Sequence, residues 1–187
     1  MLSRIKIGKE ELKLLYTARK LGVVDKNQLA YILATVFHET AGTFKPVIES
    51  YWVRDRLIRK YGRKRGIRRF YEWLKQTLPT SKYFPYVGRG YVQLTWKDNY
   101  EKASIMLTEH YGSEYIDLVS NPSWAMIPEF AAIILIKGMI DGFFTGRKLD
   151  DYISDNRVNF IDARRIINGK DRAKRIARYA EKYKRIL

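Results

Sequence analysis

The run Asp25-Lys26-Asn27-Gln28-Leu29-Ala30-Tyr31-Ile32-Leu33-Ala34-Thr35-Val36-Phe37-His38-Glu39-Thr40-Ala41-Gly42 decides the fold. Leu29, Ile32, Leu33, Val36 and Phe37 recur at i, i+3, i+4, i+7 and i+8, the spacing of a helix with one face turned to a core. Asp25 reads as the N-cap, with Gln28 placed to complete a capping box. Gly42 gives the chain a place to turn out of the helix. Glu39 falls seven residues after Ile32, so the helix ends on a carboxylate close to its apolar face.

Downstream, residues 54–78 alternate basic clusters with Leu57, Ile58, Phe70, Trp73 and Leu74. They predict one or two short helices broken at Gly62 and Gly66. Pro79 and Pro85 bracket a loop. Tyr86 to Trp96, with Gly88 and Gly90, reads as one or two short extended segments in which Gln93 and Thr95 alternate onto one side. Asn99 to Tyr111 predicts a helix and Asn121-Pro122 a turn. Pro128 begins a buried helix reaching about Phe144. Asp162 to Leu187 contains a last helix, with Ala173, Ile176, Ala177, Ala180, Tyr183 and Leu187 as its apolar stripe. The expected class is α+β, predominantly α-helical, with a small β element between helices. No repeat, low-complexity tract or linker divides the chain, so residues 1–187 read as a single domain.

At 187 residues, 46% of them hydrophobic, the chain is long enough to bury a real core and too apolar to be disordered. It has no cysteine, and only His38 and His110, so the usual zinc ligand sets are out of reach. His38-Glu39 begins like a zinc-protease motif, but the second histidine would fall at Gly42. No metal and no cofactor are expected. Met1 to Lys6 lack the apolar core of a secretory signal, and the greasiest run, Phe130 to Ile136, is far short of the ~20 residues that span a bilayer. The expectation is a soluble protein made in the cytoplasm.

The net charge is +16, and it is concentrated. Residues 54–75 carry ten Lys/Arg against Asp55 and Glu72, and residues 164–185 carry ten against Asp171 and Glu181. The rest is balanced. Two basic segments on a neutral body imply an anionic partner: nucleic acid, a membrane surface or an acidic cell-wall polymer. No recognised nucleic-acid motif accompanies them, so nucleic acid is not expected.

Hydrolysis of a glycosidic bond needs a carboxylic acid still protonated near neutral pH, and partial burial among apolar groups favours that form. Glu39 is placed for it. The aromatics Tyr51, Trp52, Tyr86, Tyr91, Trp96 and Tyr100 surround these motifs, either as platforms for sugar rings or as core.

His38-Glu39-Thr40 followed by Gly88-Arg89-Gly90-Tyr91-Val92-Gln93-Leu94-Thr95 resembles the glycoside hydrolase family 19 catalytic domain, in the branch that includes phage endolysins. Asn99-Tyr100 and Ile167-Asn168-Gly169 match two further segments, and the resemblance runs from about Gln28 to the C-terminus. Val87 departs from the family's Tyr. The resemblance implies a lysozyme-like fold, Glu39 as general acid, and Thr95 holding the attacking water. Gln93, Asn99 and Asn168 would then contact sugar, with Tyr86 lining the site.

Plant-type members place the general base about twenty residues after the acid, where this chain is Arg/Lys-rich. The candidates are Glu49, Asp55 and Glu72. Phage-type members carry a Glu about ten residues on, which favours Glu49. An inverting mechanism would set the two carboxyls ~6.5–9.5 Å apart.

The implied activity is cleavage of β-1,4 bonds in bacterial peptidoglycan by a monomeric endolysin, with pore-mediated release to the periplasm or cell wall. The basic segments are candidates for contact with an anionic outer membrane. A chitinase, or a non-catalytic binder of anionic envelope polymers, is the alternative.

Overall fold

A computed structural model describes residues 7–112 and 114–187, so the segment read for a secretory signal, residues 1–6, lies outside the described residues. Among these the chain forms seven α-helices and four two-residue strands, a predominantly helical α+β protein as expected. No helix among them is long and apolar enough to cross a membrane. The chain divides into two compact units: the described residues up to Lys45 together with Ala131–Leu187, and the intervening Pro46–Phe130.

In the first unit, α2 (Lys26–Glu39) is the central element, and every residue from Leu29 to Val36 is buried. A helix buried all round is a core helix rather than an amphipathic surface one. Asp25 caps it, its Oδ1 accepting the Asn27 and Gln28 N–H groups at 2.7 and 2.8 Å. The expected capping box does not close. Only its first half forms, the Gln28 N–H on Asp25, while the Gln28 side chain is held elsewhere, Nε2 donating to Asp150 Oδ1 and to the Ile153 carbonyl, both at 2.7 Å.

Against α2 lies α7 (Ala173–Ile186), which buries Ala173, Ile176, Ala177, Ala180 and Tyr183 as its stripe predicts. Phe37 meets Tyr179 edge-on, with ring centroids 4.7 Å apart. Within α6 (Pro128–Asp141), Ala131 to Ile136 are all buried. This helix stops short of Phe144 because Gly142, at φ +79°, turns the chain back. The Phe144 ring then lies on Gly138, where a Cβ would come within 2.5 Å of it.

Two elements of this unit are absent from the sequence reading. One is α1 (Lys9–Lys20), which buries Leu14, Leu15 and Ala18. The other is an antiparallel ribbon of two strands, Ile153–Ser154 and Arg157–Val158.

In the second unit, β1 (Val47–Ile48) pairs antiparallel with β2 (Arg89–Gly90), Val47 opposite Gly90. Helices α3 (Tyr51–Tyr61) and α4 (Arg63–Thr77) form a hairpin that breaks at Gly62, φ +76°, as predicted. The hairpin closes over Val53, Phe70 and Leu74, with Leu57 and Trp73 alongside.

Gly66, read as a second break, lies inside α4. A Cβ there would sit 2.5 Å from Ile58 Cα, so this glycine serves the close approach of two helices. In α5 (Lys97–Tyr111), Tyr100, Ala103, Ser104, Met106 and Leu107 are buried.

The extended reading of Tyr86 to Trp96 also needs correcting. Only Arg89–Gly90 is strand. The chain reverses at once, Arg89 and Leu94 exchanging N–H···O bonds of 3.1 and 2.8 Å. Gln93 stands in this turn at φ +56°, so it and Thr95 do not alternate along a strand.

Candidate functional site

Glu39 and Asn168 belong to the first unit. Glu49, Tyr86, Gln93, Thr95 and Asn99 belong to the second.

Glu39 is the last residue of α2, and the backbone reverses immediately after it. Ala41 and Gly42 both take positive φ, and the Gly42 N–H reaches back to the Phe37 carbonyl at 2.7 Å. Buried Thr40 pins the reversal. Its Oγ1 donates to the Val36 carbonyl at 2.7 Å and accepts the Phe44 N–H at 3.0 Å. The segment that carries the carboxylate is therefore tied to the core on both sides.

The setting of Glu39 is not the apolar one the sequence suggests. Arg164 Nη1 donates to Glu39 Oε1 at 2.7 Å, and the Arg164 side chain is only 4% exposed. Arg164 Nε donates to the Asp171 carbonyl at 3.0 Å, which fixes the guanidinium plane. The pair holds one carboxylate oxygen in a defined direction. Beside it, burial pushes the His38 imidazole below its ordinary 6.5, aided by Arg164 and Arg175 and opposed by Glu39 and Asp171. His38 is therefore neutral at pH 7.

Further into α2, Tyr31 and Thr35 are buried, and burial raises the Tyr31 phenol strongly. Asn168 is exposed in the segment after Ile167, its N–H on the Arg164 carbonyl at 3.0 Å.

In the second unit the β1–β2 ribbon gathers residues far apart in sequence. Glu49, just past β1, gives its N–H to the Gly88 carbonyl at 2.7 Å, while its Oε2 accepts the Gly88 N–H at 3.2 Å. Gln93 Nε2 donates to the Val47 carbonyl at 3.1 Å. Gly88 makes room for that amide: a Cβ at position 88 would be 2.7 Å from Gln93 Oε1. Gln93 thus braces the ribbon as well as bordering it.

Thr95 Oγ1 donates to the Gln93 carbonyl at 2.7 Å, and Asn99 Nδ2 to the Thr95 carbonyl at 2.8 Å. With its proton committed, the Thr95 hydroxyl faces outside partners as an acceptor. Half-buried Tyr86 lies with its ring 5.4 Å from that of Tyr100.

Of the other two carboxylates weighed as the base, Asp55 Oδ1 takes two bonds from Arg54, at 2.9 and 3.0 Å. Glu72 is an exposed α4 residue 3.8 Å from Arg68. Glu49 is the one that meets the Gly88–Thr95 segment.

The sequence reading overlooked two arginines. Arg164 was counted within a basic run, although Ala163 and Ile166 beside it mark a buried turn. Arg89 Nη1 ties the loop ahead of β2 together, donating to the Pro85 carbonyl, the Val87 carbonyl and the Tyr100 hydroxyl at 2.8, 3.1 and 2.9 Å. Burial raises the Tyr100 phenol despite Arg89, so it remains a neutral donor to the Val87 carbonyl.

Among the described residues no group of three or more His, Cys, Asp or Glu side chains is gathered that could hold a metal ion. No protein-family model matches the chain, and no curated protein matches it significantly in sequence.

Proposed function

We propose that this protein is a glycoside hydrolase of lysozyme-like architecture that cleaves β-1,4 bonds of bacterial peptidoglycan by an inverting acid–base mechanism. The observation that carries this reading is the second-unit ribbon. It sets Glu49 against Gly88 through two hydrogen bonds and places Gln93, Thr95 and Asn99 in one connected chain beyond it. A carboxylate with a fixed orientation and a hydroxyl left as an acceptor are the two functions an attacking water requires.

In this mechanism Glu49 takes a proton from water while Thr95 Oγ1 accepts the other water O–H. The water oxygen bonds to the anomeric carbon as the bond to the leaving oxygen breaks. Glu39 gives its proton to that leaving oxygen, and Arg164 stabilises the negative charge that develops on the carboxylate. One displacement inverts the anomeric centre. Gln93, Asn99, Asn168 and Tyr86 are assigned to holding sugar. No step calls for a cofactor.

As an endolysin, the protein would act in the periplasm or cell wall after release through a pore. The basic segments then serve attraction to an anionic envelope.

The test is digestion of purified Gram-negative peptidoglycan by wild type and by Glu39→Gln, with product ends identified by mass spectrometry. New sugar reducing ends from wild type alone are expected. Ends formed only from chitin oligomers would move the substrate to chitin. Absence of ends from every substrate would remove the hydrolase reading and leave binding of anionic polymers.

A further inference from the structure

The first unit carries a groove of about 860 Å³ that contains none of the residues discussed above as catalytic or sugar-binding. One wall is α7. Lys174, Ala177, Arg178, Glu181, Lys182 and Arg185 line the groove at i, i+3, i+4, i+7, i+8 and i+11, a single stripe along the helix. The other wall is Val158–Ile161, where the chain leaves the ribbon strand and turns into the 162–166 helical turn.

That second wall is rigid. Phe160 is buried and stacks on Tyr31, 6.0 Å between centroids and 6° between planes. The Asn159 N–H reaches the Tyr152 carbonyl at 2.9 Å, and its Nδ2 holds Asp162 at 2.8 Å. Between these anchors Val158 and Ile161 are left 42% and 49% exposed, an aliphatic floor open to water. Past Ile161 a second concavity of about 460 Å³ continues the groove, sharing Lys174 and Arg178 and adding Lys170, Arg172 and Arg175.

We propose that this groove docks an acidic amphipathic helix of a partner protein. The floor asks for apolar side chains, and the α7 wall offers cations every three or four residues. Glu or Asp on the flank of a helix lying alongside would meet that spacing. From Lys174 to Arg185 the wall runs about 17 Å, the length of a three-turn helix.

Glu181 stands within the same stripe, between Arg178 and Lys182, so a partner with one basic residue in its acidic flank matches the wall better than a uniform polyanion does. A nucleic-acid strand would find no ring face to stack on, since Phe160 is turned inward. A flat bilayer surface cannot fill a concavity. Because α7 is already packed on α2, this wall is preformed and loses little freedom on binding.

The experiment titrates the full-length protein into a fluorescein-labelled peptide of about 15 residues, with Leu at i, i+3, i+4, i+7 and i+11, one Lys on the flank to meet Glu181, and Glu elsewhere. A scrambled peptide of identical composition is the comparison, read by fluorescence anisotropy at about 150 mM salt, where unspecific attraction is screened. The amphipathic peptide should bind at least about tenfold tighter than its scramble. Both Ile161→Ser, which removes floor, and the Arg178→Glu/Lys182→Glu pair should remove that preference while keeping the wild-type melting curve.

Equal affinity for the two peptides on wild type overturns the proposal without recourse to any variant. So does a preference that survives Ile161→Ser. Tighter capture of a 20-base-pair DNA duplex or of anionic phospholipid vesicles, lost in the charge-reversed pair but untouched by Ile161→Ser, would reassign the groove to a polyanion.

Discussion

Replacement of Arg164 by Met tests the placement of Glu39 directly. The guanidinium is 4% exposed and makes two fixed bonds, to Glu39 Oε1 at 2.7 Å and to the Asp171 carbonyl at 3.0 Å. Methionine keeps much of the stem's packing but removes both. Glu39, 18% exposed, is then left as a mostly enclosed carboxylate without a countercharge. Breaking one side of a buried pair costs about 3–5 kcal/mol, and the residual hydration of Glu39 puts this case near the lower limit, about 3 kcal/mol.

In a chain of this size each kcal/mol moves the melting temperature by roughly 2–4 °C, so the expected fall is about 6–12 °C. Glu39→Gln retains an acceptor oxygen but not the countercharge and should cost about 2 kcal/mol. In the double variant neither charge is stranded, so its loss should be smaller than the sum by about 1–3 kcal/mol. Thermal melts of the four proteins by circular dichroism close the cycle. An Arg164→Met protein melting within about 2 °C of wild type, or strictly additive losses, would refute the ion pair as the anchor of Glu39.

Two further outcomes follow from the geometry. His38 has its folded-state pKa below the unfolded 6.5, so the unfolded chain takes up the proton first as pH falls. The corresponding stability is complete above pH 6.5 and drains away below it, by at most about 1.4 kcal/mol per pH unit. Urea midpoints across this range should show the slope in wild type and lose it in His38→Gln; an unchanged slope would sink the assignment. Gly66→Ala gains about 1 kcal/mol of helix propensity but drives a Cβ to 2.5 Å from Ile58 Cα. A net loss of about 1–3 kcal/mol in urea unfolding is expected, and a stabilised variant would contradict the helix contact.

What the sequence revealed, and what it hid, follows from the range of the interactions. The α2 helix was legible because its periodicity, its Asp25 cap and the Gly42 exit are all local. Gly62 and Gly66 look alike in a sequence, yet one bends the chain and the other admits a neighbouring helix, and only the neighbour distinguishes them. Gln93 was misplaced because nothing local announces a glutamine at positive φ; its brace is the Val47 carbonyl, 46 residues away.

Arg164 was hidden by its surroundings in the opposite sense. Within a run of cations, charge counting reads solvent, whereas its partner Glu39 lies 125 residues earlier. The ribbon Ile153–Val158 is too short for alternation to register. The association of Glu49 with the Gly88 segment, spanning 39 residues, came from the family resemblance rather than from any pattern in the chain.

The helix that ends in Glu39 is buried along eight consecutive residues, so the carboxylate inherits the rigidity of the core and also its intolerance. A substitution anywhere from Leu29 to Val36 is felt as lost stability before it can retune the acid. Thr95 and Asn99 stand on short-range turn hydrogen bonds, and changes there need not disturb a core. If the proposed mechanism holds, substitutions accumulating in a lineage of such chains would alter which sugar is recognised far more readily than where the proton comes from.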